Sequence, residues 1–191
     1  MDEITALFNG FAIAATPVNL LMALIGAQLP RLTGRPLSPW YGRVVALTIG
    51  LGLLAYVPFL FFGYRTAAVG GAELPLSVMA AALNVLAWYA FAGVYRRQTR
   101  GAPPTRPLAL WNAAVVFLLL ATVGVIGMPL MVVLGIQDAL WSMIFTHIFL
   151  DLFSEGWFVL AGLGLAYAAL PEAARHPWAR RSGELLIACL L

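Results

Sequence analysis

His147, Asp151 and Glu155 stand four residues apart in THIFLDLFSEGWF, residues 146–158, inside an apolar run. On a helix each step of four turns the side chain by only about 40°, so the three share one face. An imidazole followed by two carboxylates suits three kinds of chemistry. The group can be a satisfied polar cluster, with His147 donating to Asp151 and a protonated Glu155 bonded to Ser154 or a neighbouring helix. It can be part of a site for iron, copper, zinc or manganese. It can also be a proton path, in which carboxylates one helical turn apart pass a proton along.

The elements that must position this stripe are membrane spans. The chain has 191 residues, is 62% hydrophobic and only 10% charged, with a mean hydropathy of +0.92. An ordinary soluble domain carries about a quarter charged residues. The fold class expected is therefore all-α, a polytopic transmembrane helix bundle with its N-terminus outside. Residues 1–191 form a single transmembrane domain with spans at about 4–29, 43–64, 76–95, 108–135 and 139–170, each near the roughly 20 residues a bilayer requires. A sixth apolar segment begins at Gly183 and covers only two turns. The expectation there is a chain cut off inside a helix, or one piece of a larger unit.

Orientation follows from the basic residues, all of which are arginine. Ten lie at residues 30–43, 96–107 and 171–182, while Arg65 alone stands in the alternate loops. That asymmetry places the basic loops in the cytoplasm. The acidic start MDEITAL does not open as a cleavable signal peptide does. These features point to the inner membrane of a prokaryote, multi-pass, with membrane lipid as surroundings and no nucleic-acid partner. The single Cys189 excludes an internal disulfide and any multi-cysteine metal site.

With the fifth span entering from outside, His147 lies about 12 Å and Glu155 about 24 Å along it. A carboxylate at such depth costs about 2.5–3.5 kcal/mol against lipid, so the stripe is expected to face a partner, a metal or water. His176, the only other histidine, falls in a cytoplasmic loop and reads as solvated. Asn19, Gln28, Thr48, Asn84, Asn112 and Thr122 read as interhelical hydrogen-bond partners. Gly124, Gly127, Gly162 and Gly164 suit close helix contact. Trp40, Trp111, Trp141 and Trp178 read as interfacial anchors, and Pro30 as loop punctuation.

His147-I-F-L-Asp151-L-F-S-Glu155 resembles the H-x-x-x-E-x-x-x-E stripe on the sixth helix of nitric oxide reductase catalytic subunits, members of the haem-copper oxidase superfamily. PLALWNAAVVFLLLATVGVIG and YAALPEAARHPWARRSGELLIACLL are similar to the fifth-to-seventh helix region of that family's subunit I. FNGFAIAATPVNLLMALIGAQLP resembles its second helix. The resemblance implies a respiratory-chain membrane oxidoreductase subunit that reduces NO or O₂ as part of a larger unit. His147, Asp151 and Glu155 would be metal ligands, and Glu155 a catalytic proton donor. The implied cofactor is non-haem iron or copper; haem would require additional helices. Asn9 stands where the family has its haem-ligating histidine, and an amide does not serve there. Aligning instead on Leu170-Pro171 puts Leu152 at the oxidase metal-ligand position. The family's later helices, with their histidines, are not in this sequence, so further subunits or helices of a respiratory complex are implied partners. Two alternatives remain: a non-catalytic membrane subunit that keeps the fold without haem, and a small proton-coupled transporter.

Overall fold

A computed structural model describes the backbone of residues 17–62, 67–70, 72–74, 76–170 and 177–190. Among these the chain forms six helices and one short hairpin. They are α1 (Pro17–Thr33), α2 (Pro39–Phe62), β1 (Ala67–Val69), β2 (Ala72–Leu74), α3 (Leu76–Thr99), α4 (Arg106–Val133), α5 (Ala139–Ala169) and α6 (Pro177–Leu190). Two of the helices, in α4 and α5, are long and apolar enough to cross a membrane by length and composition. Of the first expected span, the residues from Pro17 onward are described, and they are helical; Asn9 and His176 lie outside the described residues.

Several boundaries differ from those the sequence suggests; α2 starts at Pro39 rather than 43 and α3 runs on to Thr99 rather than 95. Pro30 lies inside α1, which continues to Thr33; the helix then closes on Gly34, at φ 66°, whose N–H donates to the Pro30 carbonyl. A left-handed residue at this place is a normal helix terminus, and glycine adopts it without steric cost. α6 starts at Pro177 rather than Gly183, since proline suits a first helical turn. The loop after α2 carries β1 and β2 in antiparallel register, Ala67 opposite Leu74 and Val69 opposite Ala72.

Packing is dominated by α2 against α3 and by α4 against α5, with α1 touching α2, α3 and the end of α5. Glycines set how closely α4 and α5 approach. A Cβ on Gly124 would collide with the Phe145 carbonyl, one on Gly127 with the Phe145 ring, and one on Gly164 with the Trp111 indole. Gly156 adds a contact that the sequence did not single out: a Cβ there would lie 2.6 Å from Phe117 Cγ. Gly162 meets nothing within 4 Å and plays no such part.

An aromatic core ties the two pairs together. Phe91 of α3 meets Tyr41 of α2 at 5.8 Å and Trp157 of α5 at 5.9 Å, both edge to face, and Trp88 stacks on Phe153 at 5.4 Å. Such rings bury large area and add about 0.5–1.5 kcal/mol per pair through their quadrupoles. Trp111, expected at an interface, is instead fully buried and donates its indole N–H to the Ala161 carbonyl at 3.2 Å. Trp40 and Trp141 do stand exposed, and Arg43 lies over the Trp40 ring at 5.2 Å.

Polar residues tie the helices together at one end of the bundle. The Gln98 amide donates to the Pro36 carbonyl and accepts from the Ser38 N–H, while Arg35 donates to the Arg100 carbonyl at 3.0 Å. These bonds clasp the α1–α2 connection to the C-terminal end of α3, where free carbonyls favour a cation.

Candidate functional site: the ionisable stripe of the fifth helix

α5 begins at an N-cap, Asp138, whose carboxylate accepts from the Leu140 N–H at 2.8 Å. It runs as α-helix to Asp151, as π-helix through Leu152–Val159, and again as α-helix to Ala169. The π segment, with its i→i+5 bonds, carries Ser154, Glu155 and Trp157. Such segments are uncommon and concentrate at functional sites.

Side chains divide cleanly around this helix. Phe145, Phe149, Gly156, Trp157, Leu160 and Gly164 turn toward α4 or the aromatic core. His147, Asp151, Ser154 and Glu155 are exposed on the other side, beside the exposed Leu150, Phe158 and Val159. The three ionisable residues therefore share one face, but that face points away from the other described helices. Any partner, metal or water that the stripe faces therefore lies outside the described helices. Glycine and aromatic residues claim the inward face, because they alone let α4 approach closely.

His147 Nδ1 lies 3.5 Å from Asp151 Oδ2, with both side chains more than half exposed (64% and 60%). Glu155 has no ion-pair or side-chain hydrogen-bond partner among the described residues, Ser154 included. No three His, Cys, Asp or Glu side chains form a metal-holding group among the described residues. Among the described residues the donor set is thus one imidazole and one carboxylate in contact, with a second carboxylate a turn away. Two donors at that separation do not fill the coordination shell of iron or copper. Taken alone, these residues do not fit a metal, and no reaction step can be built through one.

Other polar residues pair as interhelical or local partners. Tyr89 and Thr122 hydroxyls meet at 3.0 Å, Tyr95 donates to Asn112 Oδ1 at 3.0 Å, and Thr48 donates to the Val44 carbonyl. Asn84 Oδ1 and the Trp157 indole N–H are buried without a partner among the described residues. For Asn84 this departs from the expected interhelical partner: its carbonyl oxygen is enclosed without a donor in reach among those residues.

Compared with protein-family models, curated proteins and solved structures, the chain matches none of them. What the fold defines is a class: an all-α bundle with, among the described residues, two helices long and apolar enough to cross a membrane, and an outward-facing ionisable stripe on one of them.

Proposed function

We propose that the chain is a multi-pass subunit of a membrane oxidoreductase of respiratory-chain type. Its stripe, His147, Asp151 and Glu155, is half of a metal or proton site that helices from a neighbour complete. One observation carries the reading: the stripe lies uncovered on an apolar perimeter. On α4 the exposed residues Val116, Leu120, Val123, Ile126 and Leu130 follow each other at three or four residues, a continuous apolar ridge. Exposed apolar ridges of that extent suit lipid. Carboxylates on the same perimeter are costly against lipid, by about 2.5–3.5 kcal/mol each, so a polar neighbour must cover them. The resemblance of the stripe to that of nitric oxide reductase subunits supplies the redox part of the reading.

Carbonate extraction at alkaline pH tests the membrane part, since an integral subunit stays in the pellet. For the redox part, the tagged chain is isolated from native membranes in mild detergent and analysed for iron, copper and haem. The reading expects metal or haem in the isolated complex, and loss of the metal in His147→Ala. A stoichiometric complex without either removes it.

A second reading is a subunit that keeps the helical frame and has no redox chemistry. It is supported by the lack of any three-donor group among the described residues. Asn9, at the position of the family's haem ligand, agrees with it.

A further inference from the structure

A groove of about 1010 Å³ opens between α3 and α4, remote in sequence from the ionisable stripe. Along α3 it runs from Tyr89 to Arg100, a length of about 16 Å at the helical rise. Its two ends differ in chemistry. At the Arg100 end stand the exposed guanidinium groups of Arg96, Arg97 and Arg100, none of them in an ion pair among the described residues. Toward the Tyr89 end the walls are Ala92, Gly93, Val116 and Leu119.

Between the two ends, Tyr95 and Asn112 supply a fixed polar step. Tyr95 is buried and its hydroxyl donates to Asn112 Oδ1, which leaves the Asn112 amide N–H groups as donors at the level of the arginines. Gly93 keeps the apolar floor open, because a Cβ there would meet nothing within 4 Å. Three uncompensated cations beside two amide donors select an anion, and phosphate matches a guanidinium fork well. An apolar floor continuous with the cations selects a ligand whose anion carries a hydrocarbon chain.

We propose that this groove binds an anionic phospholipid, with the phosphate held by Arg96, Arg100 and Asn112 and an acyl chain lying over Gly93 against Val116 and Leu119. Basic pockets between membrane helices on the cytoplasmic side are suited to such head groups. The positive-inside orientation puts these arginines on that side. A free phosphate compound would use the cations and leave the apolar floor unused. The inference rests on the membrane reading given above, but not on its redox part.

The full chain, purified in detergent, is titrated with mixed micelles containing phosphatidylglycerol or phosphatidylcholine at equal mole fraction, and bound lipid is counted by native mass spectrometry. Phosphatidylglycerol should bind in preference, and Arg96→Gln with Arg100→Gln should weaken it about thirtyfold, two surface charges being lost. Gly93→Leu should displace the lipid while leaving the thermal midpoint in lipid-free detergent unlowered, since its side chain enters open space. Arg31→Gln, on α1 and outside the groove, should change nothing. Equal binding of the two lipids, an unaffected Gly93→Leu variant, or full displacement of the lipid from the parent chain by inorganic phosphate overturns the proposal. A chain released by alkaline carbonate fails the membrane reading itself, whereas a carbonate-resistant chain with no lipid preference fails only this inference.

Discussion

The indole of Trp111 occupies the space in which a side chain at position 164 would stand, and its N–H reaches the Ala161 carbonyl one turn earlier. Gly164 is therefore a receptor for Trp111, while Gly162, two residues away, faces open space. Gly164→Leu should cost about 1–3 kcal/mol by overpacking. For a chain of this length that is roughly 2–4 °C of melting temperature per kcal/mol. Gly162→Ala should be neutral or slightly stabilising, because alanine is the better helix former. Thermal melts of the two variants in one detergent make the comparison, and equal losses would refute the assignment of faces.

The stripe makes the opposite prediction. Asp151→Asn and Glu155→Gln leave every inward contact of α5 in place, so melting of the isolated chain should move by no more than about 0.5 kcal/mol, as for other surface substitutions. In native membranes the same double variant should lose its co-purifying neighbour. A large loss of stability in the isolated chain would mean that the stripe is structural.

Two glycine classes should respond with opposite sign. Gly34, at φ 66°, stands where an L side chain is strained, and Gly34→Ala should destabilise by about 1–2 kcal/mol. Gly50, inside α2 with nothing within 4 Å of a built Cβ, should gain about 0.5–1 kcal/mol as alanine. Melting curves in detergent read both.

The Tyr95–Asn112 hydrogen bond joins α3 to α4 at a buried hydroxyl. Tyr95→Phe should cost about 1 kcal/mol, the usual net worth of such a bond. Because the Asn112 amide is then free to turn, phosphatidylglycerol binding should weaken in the same variant. Thermal melts and native mass spectrometry follow the two effects separately.

The helices were largely legible from hydropathy and length, because an apolar run of twenty or more residues has few alternatives to a helix. The close contacts of Gly124, Gly127 and Gly164 were also foreseeable, since small residues recur where helices meet. Trp111 was not, because a tryptophan near the end of an apolar run has the same sequence signature whether it anchors at an interface or fills a glycine-lined notch. Pro30 was misleading for a related reason: proline forbids one hydrogen bond, and a helix about to end at Gly34 loses little by it. The hairpin was signalled by Gly70-Gly71 between short runs, a pattern overshadowed by the neighbouring apolar segments. For the stripe, period and spacing placed the three residues on one face. Which way that face turned depended on Phe145, Gly156 and Trp157, whose claim on the inside is a matter of three-dimensional fit. The arginines of α3 were read as signs of orientation, and their gathering around a groove emerges only from the packing of α3 on α4.

The outward placement of Asp151 and Glu155 has a consequence for how much of this chain a cell can keep. If a neighbouring helix covers those carboxylates, a copy made without that neighbour presents them to lipid or to membrane proteases. The amount of chain retained would then track the supply of its partner, and the stripe would act as a built-in check on subunit stoichiometry.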